Sequence, residues 1–276
     1  VENGMFELEF IVPKDIKIAY GDAKISLYAQ NGVDEKGGYD LATKIGGINV
    51  DATEDTEGPL LNVFLNDESF VDGGNTNSLP KLIIELEDSS GINTSLGAIG
   101  HNITAILDGD RANPIQLNEF YEADQGDFTK GRVSYNLRDL ETGEHTITIK
   151  AWDTYNNSSE KTLTFNVVDE SVFLLENVLN YPNPFINYTE FWFNHNKPNE
   201  ELGVKIYIFT VSGKLVKSIS KDLPASGSSL SRSISWDGLD DFGEKVGKGV
   251  YIYNLVVTSK STGVRAEKIE KLVLLQ

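Results

Sequence analysis

The sequence predicts an all-β chain of tandem immunoglobulin-like β-sandwich domains. Three observations point there. Apolar and polar residues alternate with period two, as where Phe6, Leu8, Phe10 and Val12 are interleaved with Glu7 and Glu9. The alternating runs are short and end in turn clusters such as Asp72-Gly73-Gly74-Asn75, Asp88-Ser89-Ser90-Gly91, Asp108-Gly109-Asp110 and Asn156-Asn157-Ser158. Helical periodicity over three turns is absent, and Glu119 to Asp124 offers at most one turn.

The strands follow in order. Phe6–Val12, Lys24–Ala29 and Tyr39–Ile45 are expected before Gly46-Gly47. These are too few for a closed sandwich, and the chain opens at Val1 with neither an initiator Met nor a signal-peptide pattern. Residues 1–57 are therefore expected to be the tail of an upstream β-domain plus a linker, the acidic run Asp51 to Pro59. Residues 58–169 are expected to form an immunoglobulin-like sandwich with strands at Leu60–Leu65, Lys81–Glu87, Asn102–Leu107, Arg132–Asn136, His145–Trp152 and Thr162–Val168. A boundary near Asp169-Glu170-Ser171 opens a last sandwich, 170–276. Its strands are expected at Thr189–Asn194, Gly203–Thr210, Lys214–Ser220, Leu230–Trp236, Gly249–Lys260 and Ala266–Leu275. The two acidic, glycine-bearing joints predict some bending between units.

The 276 residues carry 42 Asp and Glu against 24 Lys and Arg, for a net charge of -18. That balance argues against a nucleic-acid or anionic-lipid binder, because phosphate would be repelled. At 39% hydrophobic residues the chain can bury a core. No apolar run reaches the roughly 18 residues of a membrane helix. Residues 1–57 hold 5 basic and 12 acidic side chains, 58–169 hold 7 and 18, and 170–276 hold 12 of each. A neutral last unit beside two acidic ones suits a module that docks on another surface.

The absence of cysteine excludes disulfides, thiolate metal sites and a cysteine nucleophile within this chain. His101, His145 and His195 stand at no metal-ligand spacing, and each reads as a turn or strand-end hydrogen-bonding group. Gly-x-Ser-x-Gly is absent, and Ser226-Gly227-Ser228-Ser229 reads as a flexible loop. No catalytic or cofactor-binding residue is assigned. Calcium is the one cofactor that fits the composition, since acidic loops between β-domains supply hard oxygen ligands. The first linker offers Asp51, Glu54, Asp55 and Glu57; Asp108, Asp110 and Asp153 with Asn156 are further candidates. Sequons at Asn93, Asn102, Asn156, Asn157 and Asn187 carry little weight, as such triplets arise by chance.

The last unit holds an ordered set of motifs. In Tyr181-Pro182-Asn183-Pro184-Phe185 each proline fixes φ and extends its predecessor, a stiff lead-in to a strand. Ser212-Gly213-Lys214 reads as a hairpin turn. Trp236-Asp237-Gly238 and Phe242-Gly243 are turn chemistry joining the Trp236 strand to the Gly249-Val250-Tyr251 strand as a long hairpin. Trp236, Tyr251 and Tyr253 are expected in the core, and so are Trp152 and Trp192, from their alternating positions.

In this order the motifs resemble the C-terminal sorting domain of type IX secretion cargo in Bacteroidetes, itself similar to FlgD-like immunoglobulin modules. Upstream, Val12-Pro13-Lys14-Asp15-Ile16, Gly21-Asp22-Ala23, Phe70-Val71-Asp72-Gly73-Gly74, Ser90-Gly91-Ile92-Asn93-Thr94, Gly100-His101-Asn102 and Ala151-Trp152-Asp153 resemble the region after the peptidase domain in the type IX secretion sortases, a gingipain-like cysteine peptidase family. The chain departs from the family in having no Cys, so the resemblance implies the non-catalytic C-terminal part. It implies a bacterial cell-surface, outer-membrane-associated location, a partner in the outer-membrane β-barrel PorV, and an upstream catalytic domain in the same parent chain. That peptidase cleaves cargo sorting signals and attaches cargo to lipopolysaccharide. The alternative reading is an adhesin or glycan-binding tail of a secreted type IX cargo protein.

Overall fold

A computed structural model describes residues 5, 11–16, 19–47, 49–52, 54–95, 100–169 and 171–275. Phe6, Leu8 and Phe10 of the first expected strand, and Glu170 of the second boundary, lie outside them. The described residues are almost wholly strand and loop, as the alternation predicts. No helix among them is long and apolar enough to cross a membrane.

In the first segment β1 (Gly21–Asp22) pairs with β4 (Lys44–Ile45), and β2 (Ile25–Gln30) pairs with β3 (Glu35–Asp40). The expected strand Tyr39–Ile45 is thus broken after Asp40. The reason is local: the Asp40 carboxylate accepts from the Ala42 and Thr43 amides at 3.0 and 3.2 Å and from the Thr43 hydroxyl, which closes a turn.

Next come β5 (Leu60–Leu65), β6 (Gly74–Thr76), β7 (Lys81–Glu87), β8 (Thr104–Leu107), β9 (Ile115–Gln116), β10 (Tyr121–Asp124), β11 (Asp127–Asn136), β12 (Gly143–Trp152) and β13 (Ser158–Val167). One sheet runs β10-β11-β7-β5 and the other β6-β13-β12-β8-β9. Their inner faces meet in one core, with Leu65, Leu82, Ile84 and Val133 opposite Ala105, Ile147, Ile149 and Phe165. Each fully buried aliphatic side chain contributes about 1.5–3 kcal/mol. The expected turn at Glu119–Asp124 is a short 3-10 turn, Asn118–Phe120, followed by β10; a hairpin to β11 draws Tyr121–Asp124 into extended pairing.

The last sandwich has β14 (Leu175–Tyr181), β15 (Thr189–His195) and β18 (Leu230–Trp236) in one sheet. Its second sheet runs β17-β16-β19-β20, where β16 is Leu202–Thr210, β17 Leu215–Leu223, β19 Gly249–Ser259 and β20 Arg265–Leu274. Trp236, Tyr251 and Tyr253 are buried in its core, as expected. The long hairpin between Trp236 and Tyr251 is not formed: β18 pairs with β15, whereas β19 pairs with β16 and β20. The connection crosses between sheets because both strands bury bulky inner residues. Trp236 and Tyr251 then meet across the core as a T-shaped pair at 6.0 Å instead of as ladder neighbours.

Two tryptophans face the other way from expectation. Trp192 alternates with the fully buried Phe191 and Phe193, so it points outward, where Tyr181 lies at 5.2 Å and the Arg232 guanidinium at 4.5 Å from its ring. Trp152 is also half-buried on an outer face, covered by His101 at 4.2 Å and Lys150 at 4.9 Å. Stacked cations shield these rings without taking them into the core.

The joints expected to bend are cross-braced by hydrogen bonds. Asp67 accepts from the Ser229 amide at 2.7 Å and the Ser228 hydroxyl at 3.1 Å. Asn75 donates to Glu176 at 2.7 Å, and Asn194 donates to Ser69 at 3.2 Å. The Ser226–Ser229 run read as a flexible loop is therefore a contact to the preceding sandwich. At the first joint Gly58 passes the Ser158 backbone so closely that a Cβ would lie 2.5 Å from its carbonyl carbon.

His195 sits at the second joint. Burial lowers its pKa from 6.5 to about 4, while nearby Asp67 opposes the shift. Its Nδ1 accepts from the Lys197 amide at 3.2 Å, so the neutral ring is the form the fold uses. With a depressed folded-state pKa, the unfolded chain takes up the proton first. Stability is thus full above about pH 6.5 and falls as the pH drops toward 4, by about 3 kcal/mol at most. Urea unfolding of wild type and His195→Asn across pH 4–7 is expected to show this slope in the former and its loss in the latter.

Candidate functional site

The motif residues of the last sandwich gather at one end of it. Phe185 is fully buried and forms a parallel bridge to Leu274: its amide donates to Val273 O at 3.0 Å, and the Leu275 amide donates to its carbonyl at 2.9 Å. Asn183 extends this contact. Its Nδ2 donates to Lys271 O at 3.2 Å, and its Oδ1 accepts from the Val273 amide at 3.0 Å. Because β20 is an edge strand, this side chain and one residue of backbone stand in for a missing neighbour strand. Behind them, Pro182 O accepts from the Thr189 hydroxyl at 2.8 Å, and Asn180 donates to both. Pro184 is exposed between the two clasp residues, and Tyr181 points outward toward Trp192.

The second motif packs on the first. Trp236 lies 5.6 Å from Phe185 and donates its Nε1–H to Leu239 O at 2.8 Å. Asp237 accepts the Leu239 amide at 3.1 Å. Gly238, at φ 78°, turns the chain against Leu274 and Phe185, a backbone state that side chains resist. Gly213 closes the β16–β17 hairpin and Gly243 closes the Asp240–Gly243 turn. Gly249 opens β19, and the Tyr251 hydroxyl donates to Gly247 O at 2.5 Å. The motifs thus build a clasp on the C-terminal strand, and the same end leaves Ile186, Tyr188 and Leu275 exposed. Phe185→Ala is expected to cost about 3–5 kcal/mol, and Asn183→Ala about 1–2 kcal/mol. Hydrogen exchange should quicken first at the amides of Val273 and Leu275 in Asn183→Ala, with thermal unfolding giving the stability change.

A second cluster lies at the first joint. Asp55, Asp88 and Asp153 each bring one carboxylate oxygen within 4.8 Å of the others. Asp153 is fully buried and Asp88 nearly so. Ser90 Oγ lies 2.6 Å from both Asp55 and Asp88, so its one proton is shared between the two carboxylates. Asn157 donates to Asp153 Oδ2 at 2.7 Å and to Asp55 O at 3.1 Å. Of the linker set Asp51, Glu54, Asp55 and Glu57, only Asp55 joins such a group among the described residues; the others are exposed. Asp108 instead holds the Thr146 amide and His145, and Asp110 caps its own turn. Three oxygens at this separation are a set that a calcium ion, with ligands at about 2.3–2.6 Å, can span.

Burial raises the Asp88 pKa, and the neighbouring carboxylates Asp153 and Asp55 add to the rise against hydrogen bonds from Ser90. A raised folded-state pKa means that this contribution to stability is present below the unfolded value of 3.8 and is lost as pH rises through the folded one. In chelator, Asp88→Asn, which keeps the acceptor for Ser90, is expected to unfold at higher temperature than wild type at pH 7 and to lose this part of the acid-side slope. Repeating the melts with calcium reads whether a cation supplies the same relief to wild type alone.

The histidines are hydrogen-bonding groups, each in its own network. His101 Nδ1 lies 2.8 Å from Asp15. His145 bridges Asp108 at 2.7 Å and Glu141 O at 2.8 Å; its pKa is raised, burial being outweighed by those acceptors. None belongs to a metal-type group among the described residues.

No protein-family model matches the sequence, and no curated protein does. Among solved structures, the chain is 31% identical to dimeric latent PorU from Porphyromonas gingivalis, over 96% of this chain and 25% of that one, with a TM-score of 0.44. The chain therefore spans about a quarter of that protein's length. A mixed-linkage glucan utilization protein of Bacteroides ovatus, SGBP-B, is 11% identical over 94% of this chain and 54% of its own, with a TM-score of 0.35. The FN1-FN3 domains of chicken CNTN1 are 10% identical over 92% and 75%, with a TM-score of 0.24.

Proposed function

We propose that this chain is the non-catalytic C-terminal region of a type IX secretion sortase. In this reading the last sandwich is the sorting module. It directs outer-membrane translocation and docks the parent peptidase on the barrel PorV at the cell surface. The first segment and the middle sandwich carry the upstream catalytic domain. Cleavage of cargo signals and transfer to lipopolysaccharide belong to that domain. The observation that carries the reading is the 31% identity to PorU along 96% of the chain. The clasp adds a physical reason for part of the motif set, since Asn183 and Phe185 hold the C-terminal strand and Trp236 and Gly238 pack behind them. Calcium stays part of the proposal, at Asp55, Asp88 and Asp153.

A second reading, a glycan-binding tail of a secreted cargo protein, draws on one feature. Tyr181 and Trp192 form a half-open aromatic pair on the outer face of β14–β15. Binding of the purified chain to detergent-solubilised PorV, followed by calorimetry, separates the two. Saturable binding, weakened by substitutions at Ile186 and Tyr188 and untouched by Trp192→Ala, is the expected result. Absence of binding with a folded sample, together with saturable binding of a soluble glycan lost in Trp192→Ala, would replace it with the second reading.

A further inference from the structure

At the junction between the two sandwiches lies an open cleft of about 540 Å³, a size within the range of small-ligand sites. Lys81 of β7 and Arg132 of β11 line one wall, and Arg232 of β18 lines the other. Three cations converge here although residues 58–169 carry 7 basic and 18 acidic side chains.

The two carboxylates in the wall are already engaged. Asp67 is taken by Ser228 and Ser229 from across the joint and by Ser69, and Glu68 by Arg132 Nη2 at 2.7 Å. Lys81 and Arg232 have no ion pair among the described residues, and Arg132 Nε is buried with no acceptor. Arg232 is exposed, and its guanidinium lies over the Trp192 ring, 4.5 Å from the centroid. A stacked guanidinium keeps its N–H edge free for two-pronged binding of a carboxylate or phosphate. The hydroxyl of Ser134 in the same wall can donate to a remaining oxygen.

We propose that this cleft binds an oxyanion-bearing ligand, its carboxylate or phosphate held by Lys81, Arg132 and Arg232. Such a ligand would touch both sandwiches at once. It would tie the last sandwich to the middle one by a contact that neither makes alone. The inference stands apart from the docking reading, since the PorV experiment can fail without touching it.

The test titrates the whole chain at low salt with inorganic phosphate, glucuronate and, as a neutral control, glucose, read by calorimetry. Arg232→Gln and Lys81→Gln are compared with Lys36→Gln in the first segment, after thermal melts confirm that each variant folds. Saturable binding of phosphate or glucuronate, weakened roughly tenfold by each cleft variant and unchanged by Lys36→Gln, supports the site. Which of the two anions binds tells a phosphate ligand from a sugar acid. No saturable binding of either anion, equal binding by the cleft variants, or equal binding of glucose overturns it.

Discussion

Carboxylates that accept hydrogen bonds from neutral donors on the next part of the chain hold this molecule in order. Asp15 takes the Asn93 side-chain NH2, Asp55 shares the Ser90 hydroxyl with Asp88, Asp67 takes Ser228 and Ser229, and Glu176 takes Asn75. A hydrogen bond to an ionised acceptor is roughly twice as strong as a neutral one, and it needs no partner cation. This is how a chain of net charge -18 assembles without a matching set of bases. The acid that repels across open surface becomes an acceptor at the joints.

The same arrangement has a cost where carboxylates crowd. At the first joint two of three clustered Asp side chains are almost wholly buried, and burial together with the neighbouring carboxylates raises the proton affinity of Asp88. At the second joint the wall acids are taken up by Ser228 and Ser229 from across the joint and by Arg132, which leaves Lys81 and Arg232 in the cleft with no ion pair among the described residues. One joint is short of positive charge and the other has some to spare. The two candidate ligand sites are therefore of opposite sign, a hard cation at one and an oxyanion at the other.

The last sandwich faces a different constraint, the open edge of its C-terminal strand. Asn183 and Phe185 cover that edge with one side chain and one residue of backbone, and Trp236 and Gly238 pack behind them. The motif residues at this end are thus a structural unit, and their neighbours Ile186, Tyr188 and Leu275 are exposed.

Strands with strong alternation were legible from residues alone, and Leu60–Leu65, Lys81–Glu87 and Leu230–Trp236 have the bounds read from the sequence. The strand Leu175–Tyr181 was missed because an irregularity between Glu176 and Leu179 interrupts its period. Trp192 was placed on the wrong face because period two defines two faces without saying which is inner; its neighbours Phe191 and Phe193 took the core. The sequence by itself determined the all-β class, the two apolar cores and the motif order, since each depends on spacing within a short stretch. Only the tertiary structure decided that Trp236 and Tyr251 lie in opposite sheets, that Asp55 meets Asp88 and Asp153, and that Lys81, Arg132 and Arg232 share one cleft. Those pairings join residues far apart in the chain, and local pattern carries no information about which distant strands and loops pack together.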